Sequence, residues 1–199
     1  HDKQIFLTFR VRIYSGGISM KIMILSDSHA MSKSDLLKLL KANPVDYYIH
    51  CGDIFIGYDN LPLNNFYLVR GNNDYGNIPN EICPSFDNLK FFVTHGHLYD
   101  VDYNMDYLYQ SAKEKKADVI CYGHTHRPYY DEIDGTIIIN PGSVSYPRGQ
   151  YRFPTYCIFD TKEKKATFYQ VKTLEPCDPF NQNQSNKRKK EPFFKKWFK

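Results

Sequence analysis

The sequence contains no hydrophobic run long enough to cross a bilayer. The apolar stretch 5–9 stops at Arg10, far short of the roughly 20 apolar residues that a membrane helix needs. Cysteine is scarce and odd in number, with five residues and no pair at CxxC spacing, which argues against a disulfide framework or a zinc knot. Internal repeats are absent as well. We therefore expect a cytoplasmic protein without a signal peptide, whose cysteines are reduced and are mostly small core residues.

The positive net charge is concentrated at the end of the sequence. Residues 181–199 carry six net positive charges, whereas the whole chain carries +4, so the remainder is slightly negative. The charge therefore gives no reason to expect nucleic-acid binding by the folded body. The tail mixes cations with aromatic residues, a composition that only weakly favours contact with nucleic acid or an anionic membrane. A solvated or protein-docked tail is the main expectation.

A chain of 199 residues with 42% hydrophobic residues is long enough to bury one substantial core. We expect residues 1–19 to be an N-terminal extension or a cloning remnant, because they carry no motif and precede Met20. Residues 20–176 are predicted to form the domain. Residues 177–199 are predicted to be a polar linker followed by the basic aromatic tail.

Short apolar runs of strand length alternate with helical patterns from Met20 onward, which predicts an α/β fold. Helices are predicted from a cap at Ser34 to about residue 42 and from a cap at Asp102 to about residue 116. Strands are predicted at 21–26, 47–51, 66–69, 89–94 and 119–122. Four more β-prone runs, at 129–133, 136–140, 155–160 and 166–174, predict an antiparallel meander that extends a second sheet. Asp134-Gly135 is a strong hairpin signal within it.

Polar clusters follow each of the first five predicted strands. In order they are Asp27 and His29; Gly52-Asp53; Gly71-Asn72-Asn73-Asp74; His95-Gly96-His97; and Gly123-His124-Thr125-His126. In open α/β sheets, ligands bind beyond the carboxyl ends of the strands, so these loops can converge on one crevice. For His50 and His97, each taken singly, a structural role is the favoured interpretation. For the polar clusters taken together, a structural role is not favoured.

The composition of these clusters indicates metal binding. Aspartate, asparagine and histidine without cysteine favour Mn²⁺, Fe, Mg²⁺ or Zn²⁺, and the ligands are too many for one ion. We therefore expect two divalent metal ions, with Mn²⁺ the first choice and Fe, Ni, Mg²⁺ or Zn²⁺ as alternatives. A centre of that kind leaves a positive charge that attracts a small phosphoester.

The ordered series Asp-x-His, Gly-Asp, Gly-Asn-x-Asp, His-Gly-His and Gly-His-x-His resembles the calcineurin-like metallophosphoesterases. The segments IHCGD, VRGNND and GHTHRP, with a following NPGS, are similar to the small bacterial YfcE-like phosphodiesterases. The resemblance covers about residues 20–174. It implies a four-layer α/β/β/α sandwich in which two stacked mixed β-sheets are flanked by helices.

The resemblance also implies a role for each ligand. It places Asp27, His29 and His126 on one metal, and Asn72, His95 and His124 on a second metal, with Asp53 bridging the two. The implied reaction is hydrolysis of phosphodiesters, and secondarily of phosphomonoesters, by in-line attack of a hydroxide that bridges the metals. A nucleotide pyrophosphohydrolase, a phosphoprotein phosphatase and a non-catalytic scaffold like the retromer subunit Vps29 are the alternatives. A homo-oligomer is also an open expectation.

Asn73 marks a departure from many members of the family. They have a histidine here that can protonate the leaving group, and an amide cannot do so near neutral pH. Asn73 and Asp74 are the catalytic candidates, and Asn73 and Arg127 are the candidates for substrate binding. A turn-stabilising role for Asp74 and a plain surface position for Arg127 are the structural alternatives.

Overall fold

The computed structural model describes residues 19–56, 61 and 64–181. The predictions for residues 1–18 and for the basic tail after residue 181 lie outside this part of the chain. The predicted domain boundaries therefore stay predictions. Within the described ranges, no helix is long and apolar enough to cross a membrane.

The described residues form two helices, α1 (Lys33–Ala42) and α2 (Asp106–Glu114), and twelve strands. The first six strands are β1 (Lys21–Leu25), β2 (Tyr47–His50), β3 (Phe66–Leu68), β4 (Glu81–Ile82), β5 (Ser85–Phe86) and β6 (Leu89–Thr94). The remaining six are β7 (Val119–Cys121), β8 (Tyr129–Ile133), β9 (Thr136–Asn140), β10 (Thr155–Asp160), β11 (Lys165–Gln170) and β12 (Pro176–Cys177). A 3-10 turn at His97–Tyr99 follows β6.

The strands pair into two mixed sheets. Sheet A has the order β12-β11-β10-β1-β2-β3, and sheet B has the order β4-β6-β7-β9-β8 with β5 paired to β6. The pairs β1–β2 and β2–β3 in sheet A, and β6–β7 and β7–β9 in sheet B, are parallel. The carboxyl ends of neighbouring strands in each parallel set therefore lie at the same edge.

The predicted antiparallel pairing is correct for both hairpins, but the predicted sheet is correct for only one of them. Strands β8 and β9 pair antiparallel around Asp134-Gly135 within sheet B, as predicted. Strands β10 and β11 instead extend sheet A, because β10 pairs antiparallel with β1, placing Phe159 opposite Ile22. That pairing puts the apolar side of β10 in the core shared by both sheets. Strand β11 is also shorter than the predicted run 166–174, since it ends at Gln170.

Three buried clusters define the four layers. The largest lies between the sheets and joins residues such as Ile24, Ile49, Phe91, Val119 and Phe159. A second cluster packs α1 on the outer face of sheet A, and a third packs α2 on the outer face of sheet B. Truncating a buried aromatic of this kind to alanine costs about 3–5 kcal/mol. The predicted α/β/β/α sandwich is confirmed.

Both helices begin at other residues than the sequence predicted. Helix α1 is capped by Ser32, not Ser34, because the Oγ of Ser32 accepts the N–H of Asp35 at 3.1 Å. Helix α2 begins at Asp106 instead of following a cap at Asp102. Its start is late because the preceding chain forms a turn, in which the N–H of Tyr103 donates to the carbonyl of Asp100 at 2.9 Å.

All five cysteines are free thiols, as predicted. Cys51, Cys121 and Cys157 are buried in the core between the sheets, whereas Cys83 is exposed and Cys177 is half-buried.

Candidate metal centre

The polar clusters meet where the parallel strands of the two sheets end. The backbone N–H of His124, after β7, donates to Asp27 Oδ2 at 3.1 Å, which ties sheet B to the loop after β1. On the other side, the N–H of Asp27 donates to the carbonyl of Gly52 at 3.0 Å. The carbonyl of Asp27 accepts the hydroxyl of Ser143 at 2.8 Å. Asp27 is thus fixed by three neighbouring loops.

Several of these residues have a left-handed backbone. The φ angles are 55° at Asp27, 54° at Asp53, 68° at His124 and 58° at His126. Such values are uncommon outside glycine and cost on the order of 1–3 kcal/mol each, and they tend to persist where surrounding structure enforces them. Here the sharp turns let side chains from separate strands point into one space.

One group of possible ligands gathers around Asp27. Its Oδ1 lies 3.1 Å from His126 Nε2 and 3.7 Å from His29 Nε2. The two histidine Nε2 atoms are 3.2 Å apart. Asp27 and His126 are buried, and the side chain of His29 is 15% exposed. These three residues can hold one metal ion.

A second group gathers around the amide oxygen of Asn72. This Oδ1 lies 3.1 Å from His95 Nε2 and 3.0 Å from His124 Nδ1. Asp53 stands between the groups, since its Oδ2 is 3.5 Å from both His29 Nε2 and His95 Nε2. His95 can also share an ion with Asp27 and Asp53.

In each histidine ring, the hydrogen bond made by one nitrogen determines whether the other nitrogen has a free lone pair. His95 Nδ1 donates to the carbonyl of Cys51 at 2.7 Å, and His126 Nδ1 donates to the carbonyl of Tyr146 at 2.7 Å. A carbonyl only accepts, so the Nε2 of each neutral ring carries a lone pair. His124 is reversed, because its Nε2 contacts Asp102 Oδ2 at 2.9 Å and its Nδ1 faces Asn72.

This donor set fits divalent metal ions. The lone pairs of imidazole nitrogens, carboxylate oxygens and an amide oxygen face one another here. Such an arrangement is unfavourable unless cations lie between these atoms. The buried Oδ1 of Asp27 has no hydrogen-bond donor among the described residues. Nitrogen and oxygen ligands without sulfur suit Mn²⁺, Fe, Mg²⁺ or Zn²⁺.

The two aspartates are ionised in this environment. Burial acts to raise the pKa of Asp27, but the adjacent imidazoles of His126, His29 and His95 outweigh it and hold that pKa below its usual range. Burial also acts to raise the pKa of Asp53, but His95 and Asn73 outweigh it and lower this pKa to about 2. The pKa of His95 is raised: burial opposes this, but Asp53 and Asp27 prevail.

The catalytic candidates Asn73 and Asp74 occupy different places. Asn73 is exposed and donates to Asp53 twice, from its backbone N–H at 2.8 Å and from its Nδ2 at 2.7 Å. Asp74 accepts the N–H groups of Gly71 at 2.9 Å and Phe55 at 3.1 Å, so it links two loops. These bonds favour the turn-stabilising alternative for Asp74.

Arg127 is exposed, and its backbone N–H donates to Thr125 Oγ1 at 3.3 Å. The aliphatic part of its side chain lies beside Gly149. Its substrate contact stays a prediction.

His50 and His97 lie beside the two ligand groups. His50 is fully buried, with Nδ1 accepting the N–H of Gly52 at 3.2 Å and Nε2 contacting Ser28 Oγ at 2.6 Å. The ring of His97 is 5.4 Å from that of His95. The contacts of His50 agree with the structural role that was favoured for it.

Sequence reasoning missed three side chains next to the ligands. Asp102, predicted as a helix cap, contacts His124. Phe55 and Tyr146 flank the ring of His29, with ring centroids 5.1 and 5.7 Å away. For Phe55, its position two residues after Asp53 could have indicated that it lies near the centre. Asp102 and Tyr146 gave no such signal, because they contact residues that lie far from them in the sequence.

Comparisons with known proteins agree with this geometry. The model of the calcineurin-like phosphoesterase superfamily domain matches residues 20–164. The Methanocaldococcus jannaschii protein named phosphodiesterase MJ0936 is 33% identical over 169 residues, which cover 73% of this chain and 96% of the relative.

Two solved structures are informative. A predicted phosphoesterase from Streptococcus pneumoniae TIGR4 superposes with a TM-score of 0.73 at 29% identity, covering 77% of this chain and 91% of that one. Vps29 from Entamoeba histolytica, solved with Zn²⁺, has a TM-score of 0.65 at 18% identity, covering 79% of this chain and 96% of that one. The second likeness shows the fold alone. The two-sheet fold, the strand-end ligands and the matched family model together establish that the chain belongs to the calcineurin-like phosphoesterase superfamily.

Proposed function

We propose that the chain is a metal-dependent phosphodiesterase that holds two divalent ions, with Mn²⁺ the expected metal. The observation that carries the proposal is the convergence of two sets of bare ligand atoms on Asp53, whose Oδ2 is equidistant, at 3.5 Å, from one histidine of each set. Asp27, His29 and His126 would hold one ion, and Asn72, His95 and His124 the other. Asp53 would belong to both.

Charge favours an anionic substrate at this centre. Asp27 and Asp53 are the two carboxylates within the ligand groups, so two divalent ions would leave about two positive charges there. When bound, such ions lower the pKa of a water nucleophile and stabilise charge that develops on a phosphoryl group. Asn72 and Asn73 are exposed at the centre, so a small phosphoester can reach it from solvent.

The chain's own residues set the geometry for this chemistry. Asn73 restrains the carboxylate of Asp53 through two hydrogen bonds. An amide offers no acidic proton near neutral pH, so Asn73 would orient Asp53 and the substrate instead of protonating the leaving group. Substrates with good leaving groups should therefore be preferred, and phosphodiesters with an aryl ester fit this requirement.

The other reactions predicted from the sequence remain open. Phosphomonoesters, nucleotide pyrophosphates and phosphoproteins could use the same ligand set, and loop geometry decides among them. A Vps29-like scaffold is the non-catalytic alternative. It is disfavoured because all four metal histidines, His29, His95, His124 and His126, are present and point inward.

The direct test measures hydrolysis of bis(p-nitrophenyl) phosphate after removal of metal with a chelator. Turnover should return on adding Mn²⁺. Asp53→Asn should lower it by more than about 100-fold, because even indirect partners of metal ligands contribute 10–100-fold. Asp106→Asn, at the start of α2, is the matched control and should be unaffected. Absence of turnover in the Mn²⁺-loaded protein, or full activity of Asp53→Asn, would contradict the proposal.

A further inference from the structure

Two half-exposed aromatic rings flank His29, one of the candidate metal ligands. Phe55 and Tyr146 are 54% and 53% exposed, although each ring lies within 6 Å of the ring of His29. Their planes are tilted by 53° and 47° to the imidazole, so neither lies flat on it. Each ring therefore keeps a large part of its apolar surface open to solvent beside the ligand His29.

Both rings are held by their backbones. Phe55 has φ 56°, a left-handed conformation that is costly for a bulky side chain. Its N–H donates to Asp74 Oδ1 at 3.1 Å, which helps to keep it there. The N–H of Tyr146 donates to Ser143 Oγ at 2.8 Å, and its carbonyl accepts His126 Nδ1 at 2.7 Å. The loops that position the ligands thus also position the rings.

Exposed aromatic rings in fixed positions gain little for folding, since burial of apolar area is what stabilises a core. They are well suited to stack against a flat ligand, because aromatic pairs prefer offset or edge-to-face contact at centroid distances of about 4.5–7 Å. A phosphoryl group at the metals would place its ester substituents within reach of these rings. By contrast, the exposed side chains of Asn72 and Asn73, at the second ligand group, are polar.

We propose that Phe55 and Tyr146 form a subsite for a planar aromatic group carried by the phosphate ester, next to His29. This inference rests on the proposed function, since it names the substrate class of the same centre. It agrees with the presence of Asn73 instead of a histidine, because an amide cannot protonate the leaving group and phenolate leaves readily without a proton. The aromatic group can be an aryl ester on the phosphorus or a nucleobase further along the substrate.

Calorimetric titration of the Mn²⁺-loaded protein separates these possibilities without requiring turnover. One pair of ligands is phenylphosphonate and methylphosphonate, which differ only in the ring on phosphorus. The other pair is adenosine 5′-monophosphate and ribose 5-phosphate, which differ in the base. In at least one pair the aromatic member should bind more tightly, by about 3- to 10-fold per stacked ring. The pair that shows the difference identifies the source of the aromatic group.

Phe55→Leu and Tyr146→Leu should each reduce that ratio by about 3- to 10-fold while leaving the affinity for the non-aromatic member unchanged. Phe180→Leu is the matched control, because Phe180 is 50% exposed and packs against Phe168 instead of the centre. If the rings only shield His29, both members of a pair will weaken together in the variants, and the proposal is wrong. Equal affinities within both pairs in the unaltered protein would also overturn it. Tight aromatic binding without any hydrolysis would refute the proposed function alone.

Discussion

Replacing His50 with glutamine should make the metal-free protein less sensitive to acid. Burial lowers the pKa of His50 to about 4, despite the opposing charges of Asp74 and Asp27. The hydrogen bonds explain why the neutral form is needed: Nδ1 accepts the N–H of Gly52 at 3.2 Å, so a proton on Nδ1 would face a donor. The glutamine variant cannot take up this proton.

The size of the effect follows from the two pKa values of His50. The unfolded chain binds a proton at the ordinary pKa of 6.5, whereas the native state does so only at about 4. Between these values the unfolded state holds more protons, so the free energy of unfolding falls as the pH falls. The loss begins near pH 6.5, reaches about 2–3 kcal/mol at pH 4.5, and approaches about 3–4 kcal/mol well below pH 4.

Other titrating groups act elsewhere on the pH scale or are common to both proteins. The lowered pKa values of Asp27 and Asp53 remove stability below their ordinary value of 3.8. The raised pKa of His95 has the opposite sign and acts above 6.5, where protonation of the native state adds stability as the pH falls. Burial also lowers the pKa of His97 to about 4 and lowers that of His124, so both titrate in the same interval, but they are common to the two proteins. The comparison of the two proteins between pH 6.5 and 4.5 therefore isolates the effect of His50.

The assay is urea unfolding in the presence of a chelator at steps from pH 7.5 to 4.5. The difference between the unaltered protein and His50→Gln at pH 7.5 gives the cost of lost hydrogen bonds. That difference should shrink by about 2–3 kcal/mol by pH 4.5. Parallel curves for the two proteins would contradict this prediction, because they would show that His50 does not resist protonation in the native state.

Three further substitutions test the centre itself. Asp102→Asn should weaken binding of one of the two Mn²⁺ ions by about 10-fold, because the carboxylate orients His124. Asp102→Glu should restore part of the lost affinity. An unchanged Mn²⁺ titration of Asp102→Asn would contradict this role. Gly71→Ala should lower the Mn²⁺ affinity and the urea midpoint of unfolding, since a Cβ at position 71 would collide with the carboxylate of Asp53. Unchanged Mn²⁺ affinity would contradict the close contact between Gly71 and Asp53. Asn73→His should narrow the preference for aryl over alkyl phosphodiesters, and equal rates on both classes before substitution would contradict the account of Asn73.

Strand positions were predictable because their signals are local. Alternation of apolar runs with turn residues located β6, β8, β9 and β10 at the bounds that the structure has. Helix starts were less accurate, because two serines compete near α1 and only the folded chain shows that Ser32 accepts the N–H of Asp35. Strands β4, β5 and β12 have two residues each, too short for any periodic pattern.

The assignment of β10 and β11 to sheet A depended on long-range pairing that no local pattern encodes. The seven predicted ligands could be singled out because strand ends and glycines mark them in the sequence, and the structure brings their side chains together. Their individual roles at the metals stay predictions, as do the cytoplasmic location and a homo-oligomer. Contacts such as Asp102 with His124 join segments that lie far apart in the chain, so sequence spacing could not reveal them.

The proposed function requires two divalent ions that share Asp53. Anomalous diffraction from crystals of the Mn²⁺-loaded protein would locate these ions. Two peaks are expected, one contacting Asp27, His29 and His126 and the other contacting Asn72, His95 and His124, with the carboxylate of Asp53 in contact with both. A single peak, or peaks away from these residues, would contradict the proposed function.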